Sequence, residues 1–256
     1  MEQKRIYLAE ANRSISKWLE STFGMKLVPS LQDADLVVFP GGLDVNPDLY
    51  NEPAGQRTSF NRDTDAEWVA IYKSAIKSGK KVMGICKGSQ FVTVMSGGSL
   101  FQHVSSHAIL GDHTITVEDK VYEVASTHHQ MMNPFILNTS DFDILAFSTE
   151  RRSEIYLNGF DDEVEFPSCE PEAVFYRGNG TLAIQFHPEF RDFNAPINKE
   201  IEKWLENMFA YTITDFSDKY NKHINYEKLQ KSTVTGYDLG SVSPEVLEEF
   251  ISTYLK

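Results

Sequence analysis

Lys81-Val82-Met83-Gly84-Ile85-Cys86-Lys87-Gly88-Ser89-Gln90 is an apolar run that stops at a cysteine set between two glycines. A short apolar run of this kind reads as a buried strand, and a glycine two positions to either side of the thiol suits a sharp strand-to-helix turn. A Cβ at either glycine would crowd the neighbouring strand or helix, and the turn lifts the sulfur out of the sheet. The helix that begins there helps twice. Its N-terminal dipole lowers the thiol pKa, and its free backbone N–H groups can face an oxyanion.

Outward from this stretch, strands and helices alternate. Arg5-Ile6-Tyr7-Leu8-Ala9 reads as a first strand, followed at helical spacing by Ile15, Trp18, Leu19 and Phe23. Met25 to Pro29 reads as a short second strand, and Asp35-Leu36-Val37-Val38-Phe39 as a buried one ending at Pro40-Gly41-Gly42. Trp68, Ile71, Tyr72, Ala75 and Ile76 mark a helix closed by Ser78-Gly79. This order predicts a mostly parallel sheet covered on both faces, with ligands at the carboxyl ends of the strands. From about Asp112 to Gln185 the pattern changes to short β-like runs: Thr114 to Val117, Val121 to Ala125, Ile144 to Phe147, Ala173 to Tyr176 and Leu182 to Gln185. They predict an antiparallel extension joined to the main sheet. Ile197, Ile201, Trp204, Leu205 and Met208 define a closing helix.

Composition bounds the function classes. A chain of 256 residues with 41% hydrophobic content is long enough for one large α/β domain with a full core. Its 37 acidic against 24 basic side chains give a formal charge of −13, which repels phosphate backbones and argues against direct nucleic-acid binding. With only two cysteines, Cys86 and Cys169, no disulfide framework is implied. No stretch approaches the length of a membrane span, and Met1 to Arg5 does not open a signal-peptide core. A soluble cytoplasmic protein without membrane association is the expectation.

Far downstream of Cys86 the chain carries Phe186-His187-Pro188-Glu189. Alternation along an extended segment would put His187 and Glu189 on one side, with Pro188 ending the ladder. Together, Gly84-x-Cys86-x-Gly88-x-Gln90 and His187-Pro188-Glu189 resemble the signature of the class I glutamine amidotransferase superfamily, and both halves match without a substitution. The resemblance implies a flavodoxin-like three-layer α/β sandwich over residues 1–209 with an antiparallel extension. It implies Cys86 as nucleophile, His187 as general base and Glu189 as the group that orients His187. Residues 210–256 lie beyond it, as an appendage whose terminal helix opens with Ser243 as N-cap and Pro244 at its first position.

Further segments narrow the resemblance to the γ-glutamyl hydrolase branch, which includes enzymes that cleave γ-glutamyl-γ-aminobutyrate. Phe39-Pro40-Gly41-Gly42, with Leu43-Asp44-Val45-Asn46-Pro47 and Tyr50, looks like its oxyanion loop. By analogy the N–H groups of Gly42 and Lys87 form the oxyanion hole, with Gly41 the competing choice. Arg62-Asp63 with Glu67 is also similar to this branch, although Asp63 or Thr64 capping a helix explains it equally well. Ser126-Thr127-His128-His129-Gln130 resembles the segment that borders the glutamyl site. There, backbone N–H groups of Ser126 and Thr127 would hold the substrate α-carboxylate with His128 or His129 close by, and Gln90 would reach the α-amino-acid end.

No Cys/His/Asp set with structural-zinc spacing surrounds the paired histidines, and the superfamily's chemistry needs no metal, so neither metal nor cofactor is expected. His103, His107 and His113 carry no assignment, and Gly97-Gly98-Ser99-Leu100 reads as a helix C-cap and tight return. Cysteine-dependent hydrolysis of a γ-glutamyl amide bond is the expected function. The alternatives are a glutaminase subunit that passes ammonia to a synthase on another chain, or a non-catalytic binding protein that keeps the fold. A small γ-glutamyl substrate is the expected partner, with a synthase or a second copy of the chain as the macromolecular candidates.

Overall fold

The computed structural model describes residues 3–108 and 111–212. The chain runs β1 (Arg5–Leu8), α1 (Arg13–Phe23), β2 (Lys26–Leu27), β3 (Leu36–Phe39), α2 (Arg62–Lys77), β4 (Lys81–Ile85) and α3 (Lys87–Met95). It continues through β5 (Ser99–Phe101), β6 (His103–Val104), β7 (Gly111–Val117), β8 (Lys120–Ser126), β9 (Met131–Asn133) and β10 (Phe142–Ser148). The last elements are β11 (Tyr156–Leu157), β12 (Pro171–Tyr176), β13 (Thr181–Ile184) and α4 (Ile197–Ala210). The terminal helix expected from Ser243 onward lies outside the described residues.

Nine strands form one sheet in the order β2-β1-β3-β4-β13-β12-β10-β7-β8. Strands β2, β1, β3, β4 and β13 are mutually parallel, and β12, β10, β7 and β8 continue the sheet antiparallel. The run Leu182 to Gln185, grouped in sequence with the antiparallel extension, is therefore the junction. It pairs parallel with β4 on one side and antiparallel with β12 on the other. The strand that carries Cys86 and the strand that leads to His187 are thus direct neighbours.

Side-chain alternation explains the three layers. Leu36 and Val38 of β3, with Met83 and Ile85 of β4, pack toward Ile15, Trp18 and Leu19 of α1 and Ile201, Leu205 and Met208 of α4. Val37, Phe39 and Val82 face the other way, against Trp68 and Tyr72 of α2 and Phe91 of α3. A strand buried on both faces has no polar side, which is why β3 reads as a continuous apolar run in sequence. Among the described residues no helix is long and apolar enough to cross a membrane. The Gly97-Gly98 return is structural as expected, with the Gly98 N–H donating to the Thr93 carbonyl at the end of α3.

Candidate active site

Cys86 stands between β4 and α3 with φ 52° and ψ −111°, outside the usual regions for a residue with a Cβ. The flanking glycines make this turn possible. A Cβ on Gly84 would lie 2.1 Å from the Gly88 carbonyl oxygen, and one on Gly88 would lie 1.9 Å from the Phe39 carbonyl oxygen. Strand, turn and helix therefore pack backbone to backbone, and the Gly88 N–H donates to the Pro40 carbonyl at 2.9 Å.

His187 follows β13 and is buried. Its backbone N–H donates to the Ala125 carbonyl at 2.9 Å, which ties it to β8. Residues Pro188–Phe190 form a 3-10 turn, so the extended alternation expected through Pro188 is not what aligns His187 with Glu189. The turn folds Glu189 back instead, with its Oε1 2.8 Å from His187 Nδ1. Proline at the first position of the turn, its φ already set, favours that geometry. A Cβ on Gly41 would stand 3.1 Å from His187 Cε1 and 3.6 Å from Cys86 Cβ, so the thiol and the imidazole converge beneath Gly41. Burial pulls the His187 pKa down, but Cys86 and Glu189, by charge and hydrogen bond, lift it well above the ordinary imidazole value.

Gly42 lies beside the Lys87 stem, 3.3 Å from Lys87 Cδ to the position its Cβ would take. The Lys87 N–H opens α3, where a helix offers no internal acceptor. The Lys87 side chain turns inward and forms a buried ion pair with Asp65, Nζ to Oδ1 at 2.8 Å, over the Trp68 ring. Asp65 Oδ2 accepts the Asn46 N–H at 2.7 Å, which fixes the loop after Gly42. Sequence reading pointed to Arg62, Asp63 and Glu67 in this segment and passed over Asp65. Glu67 is exposed, Arg62 pairs with Asp48 at 3.3 Å, and the helix is capped by Asn61, whose side chain accepts from the Asp63 and Thr64 N–H groups. The signal available was the position of Asp65 three residues before Trp68, on the inward face of α2.

The segment after β8 is held from several sides. Gln90 Nε2 donates to the Gln130 carbonyl at 2.8 Å, so this side chain supports the segment from beneath. Ser126 Oγ donates to the His107 carbonyl, and His128 Nδ1 bonds the Gln130 carbonyl at 2.8 Å. Burial, with His107 nearby, drives the His128 pKa well below its usual value. His129 instead reaches Asp44 of the Gly42 loop, Nε2 to Oδ1 at 3.0 Å. Of the five residues expected at the glutamyl end, Thr127 and His129 keep partial exposure, while Gln90, Ser126 and His128 are buried. Behind them lie His107, His113, Glu170 and Glu172, brought together from separate elements.

Residues 24–189 match the family model described as Peptidase C26. The chain belongs to the Peptidase C26 family. This is the γ-glutamyl hydrolase branch of the class I glutamine amidotransferase superfamily. Curated relatives of this C26 chain include the glutamine amidotransferase-like protein YvdE of Lactococcus lactis subsp. lactis, 30% identical over 60% of this chain and 66% of the relative. A YvdE homolog of Lactococcus lactis subsp. cremoris is 38% identical over 28% of this chain and 38% of its own length. Protein NtpR of Enterococcus hirae is 31% identical over 30% of this chain and 33% of its own. The matches thus span between a third and two thirds of those relatives. PurLQS from Thermotoga maritima shares the fold at a TM-score of 0.53 with 18% identity, over 81% of this chain and 99% of that one.

Proposed function

We propose that this C26 member hydrolyses a γ-glutamyl amide bond, in glutamine or a γ-glutamyl amine, through a glutamyl thioester on Cys86. The observation that carries the reading is the convergence of Cys86, at a strained φ of 52°, with an imidazole whose far nitrogen is held by Glu189 at 2.8 Å. A thiolate beside an imidazolium is a nucleophile next to its own acid. In this reading the Cys86 thiolate attacks the δ-carbonyl while the N–H groups of Gly42 and Lys87 receive the oxyanion, with Gly41 the competing donor. His187 protonates the departing amine, and the C–N bond breaks as the thioester forms. The neutral imidazole then takes a proton from water, whose oxygen attacks the thioester, and glutamate leaves with the thiolate restored. Backbone N–H groups of Ser126 and Thr127, with His129, are the candidates for the glutamyl carboxylate, and Gln90 supports that segment through Gln130.

Incubating the purified full-length chain with glutamine and a panel of γ-glutamyl amides, with and without cell extract, tests the reading by glutamate release. We expect hydrolysis of at least one amide by the isolated protein. Release that requires a component of the extract would favour the second reading, an ammonia-donating subunit. Exposed Leu43 beside Gly42, and Phe190 stacked on His187 at 4.4 Å, support that alternative as apolar surface for a synthase chain. No release under either condition, from protein whose Cys86 reacts with no glutamine-analogue electrophile, would overturn both.

A further inference from the structure

Three histidines and two glutamates meet behind the segment that follows β8, and the site chemistry uses none of their polar atoms. His107 comes from the turn after β6, His113 from β7, His128 from just beyond β8, and Glu170 and Glu172 from the start of β12. All five are buried, with side-chain exposures of 0–2%. One ligand atom from each of His107, His113 and Glu172 can be chosen so that all lie within 4.8 Å of one another. Glu172 Oε1 is 2.8 Å from His113 Nε2, 3.9 Å from His107 Nδ1 and 4.0 Å from His128 Nε2.

Some of the remaining atoms of the cluster stand where an outer shell would. His128 Nδ1 bonds the Gln130 carbonyl at 2.8 Å, so it carries the proton there and leaves Nε2 with a free lone pair pointed at Glu172. His107 Nε2 lies 3.2 Å from Glu170 Oε2, which orients that ring with Nδ1 toward Glu172. Metal-binding histidines use such carbonyl and carboxylate partners on the nitrogen away from the ion. Glu170 is itself fixed by the Arg152 and Ser153 N–H groups and the Tyr156 hydroxyl. His107 Nδ1 and Nε2, His113 Nδ1, His128 Nε2 and Glu172 Oε2 are buried with no hydrogen-bond partner. Orphaned buried polar atoms of this number are costly unless something between them supplies positive charge.

We propose that His107 Nδ1, His113 Nε2 and one Glu172 oxygen bind a single zinc ion in a buried, tetrahedral, structural site, with His128 Nε2 beside its fourth position. Zinc bonds to nitrogen and oxygen of about 2.0–2.2 Å place tetrahedral ligand atoms about 3.3–3.6 Å apart, and the separations of Glu172 Oε1 from His113 Nε2 and His107 Nδ1, 2.8 and 3.9 Å, bracket that spacing. Two imidazoles and a carboxylate suit zinc, and burial of all three with His128 alongside suits a structural ion more than an open catalytic one. The ion would pin β7, β12 and the turn after β6 together beside the segment after β8, and that segment reaches the candidate active site through His129 and Gln130. The motif is invisible in sequence because its three ligands are scattered over residues 107–172 with no short spacing.

Chelator-stripped full-length protein, wild type and Cys86→Ser, is titrated with Zn²⁺ by equilibrium dialysis, with melting followed with and without the metal. The serine variant removes the active-site thiolate as a competing ligand. We expect one Zn²⁺ per chain in both, a higher Tm with metal, and a Co²⁺ spectrum with tetrahedral bands and no thiolate charge-transfer band. His113→Gln should weaken binding at least tenfold, and Glu170→Gln, in the outer shell, about 10–100-fold. Absence of stoichiometric uptake by folded wild-type protein, uptake lost only in Cys86→Ser, or unchanged affinity in His113→Gln would each overturn the site. Should a histidine variant fail to fold, the wild-type and Cys86→Ser titrations and the Co²⁺ spectrum still decide.

Discussion

Lys87 Nζ and Asp65 Oδ1 lie 2.8 Å apart with 4% and 0% of their side chains exposed, directly beneath the turn that carries Cys86. Burial raises the Asp65 pKa, and Lys87 only partly opposes it. The pair is therefore a positioning device more than a source of stability. It joins the first residue of α3 to α2 and, through the Asn46 N–H, to the Gly42 loop.

Asp65→Ala leaves a buried ammonium without a partner and should cost about 3–5 kcal/mol in urea denaturation. The double change Asp65→Leu with Lys87→Met removes both charges and should cost clearly less. A double variant as unstable as the sum of the two single changes would refute the positioning role.

Cys86→Ala or Cys86→Ser should lower turnover on the order of 10⁴-fold with the circular-dichroism spectrum unchanged. A glutamine-analogue electrophile should mark the Cys86 peptide in mass spectrometry and spare Cys169. Burial pushes the Cys169 thiol up, leaving less thiolate to react. Equal labelling of both thiols would count against Cys86 as the nucleophile.

The pH profile follows from the raised His187 pKa. The imidazolium that protonates the leaving amine persists above the ordinary imidazole range and is lost only as pH rises through the raised value. Glu189→Gln removes one of the charges that lift it, so the alkaline limb of kcat/KM should move to lower pH. The limb belongs to the coupled pair, not to His187 alone. His187→Asn, which removes the proton carrier, should cost about 10²–10⁴-fold and more than Glu189→Gln. An alkaline limb that stays in place in Glu189→Gln would separate Glu189 from the proton chemistry.

Two glycines should respond very differently to alanine. At Gly79, φ is 66° and the added methyl meets nothing within 4 Å, so the cost is the left-handed backbone alone, about 1–2 kcal/mol. At Gly88 the methyl would enter the Phe39 carbonyl, and the loss should be about 3 kcal/mol or more. Comparable denaturation midpoints for the two variants would contradict the close packing of the turn on β3.

Local pattern was enough to read the parallel core, the helix faces and the turn at Cys86. Each depends on periodicity or on glycines within a few residues, and burial of both sheet faces writes it directly into the apolar runs. The family and its paired motifs were legible for the same reason, since Gly84 to Gln90 and His187 to Glu189 are each contiguous. Only the tertiary structure decided how they meet. Strand β13 lies beside β4, and a 3-10 turn, not strand alternation, brings Glu189 onto His187. Asp65 escaped the sequence reading because its partner Lys87 is distant in sequence and an acidic residue on a helix ordinarily faces solvent. His107, His113 and Glu172 escaped it as a set because the pairing of distant strands, not a spacing, brings them together. Periodicity records which face a side chain takes, whereas the pairing of distant strands decides which side chains share it.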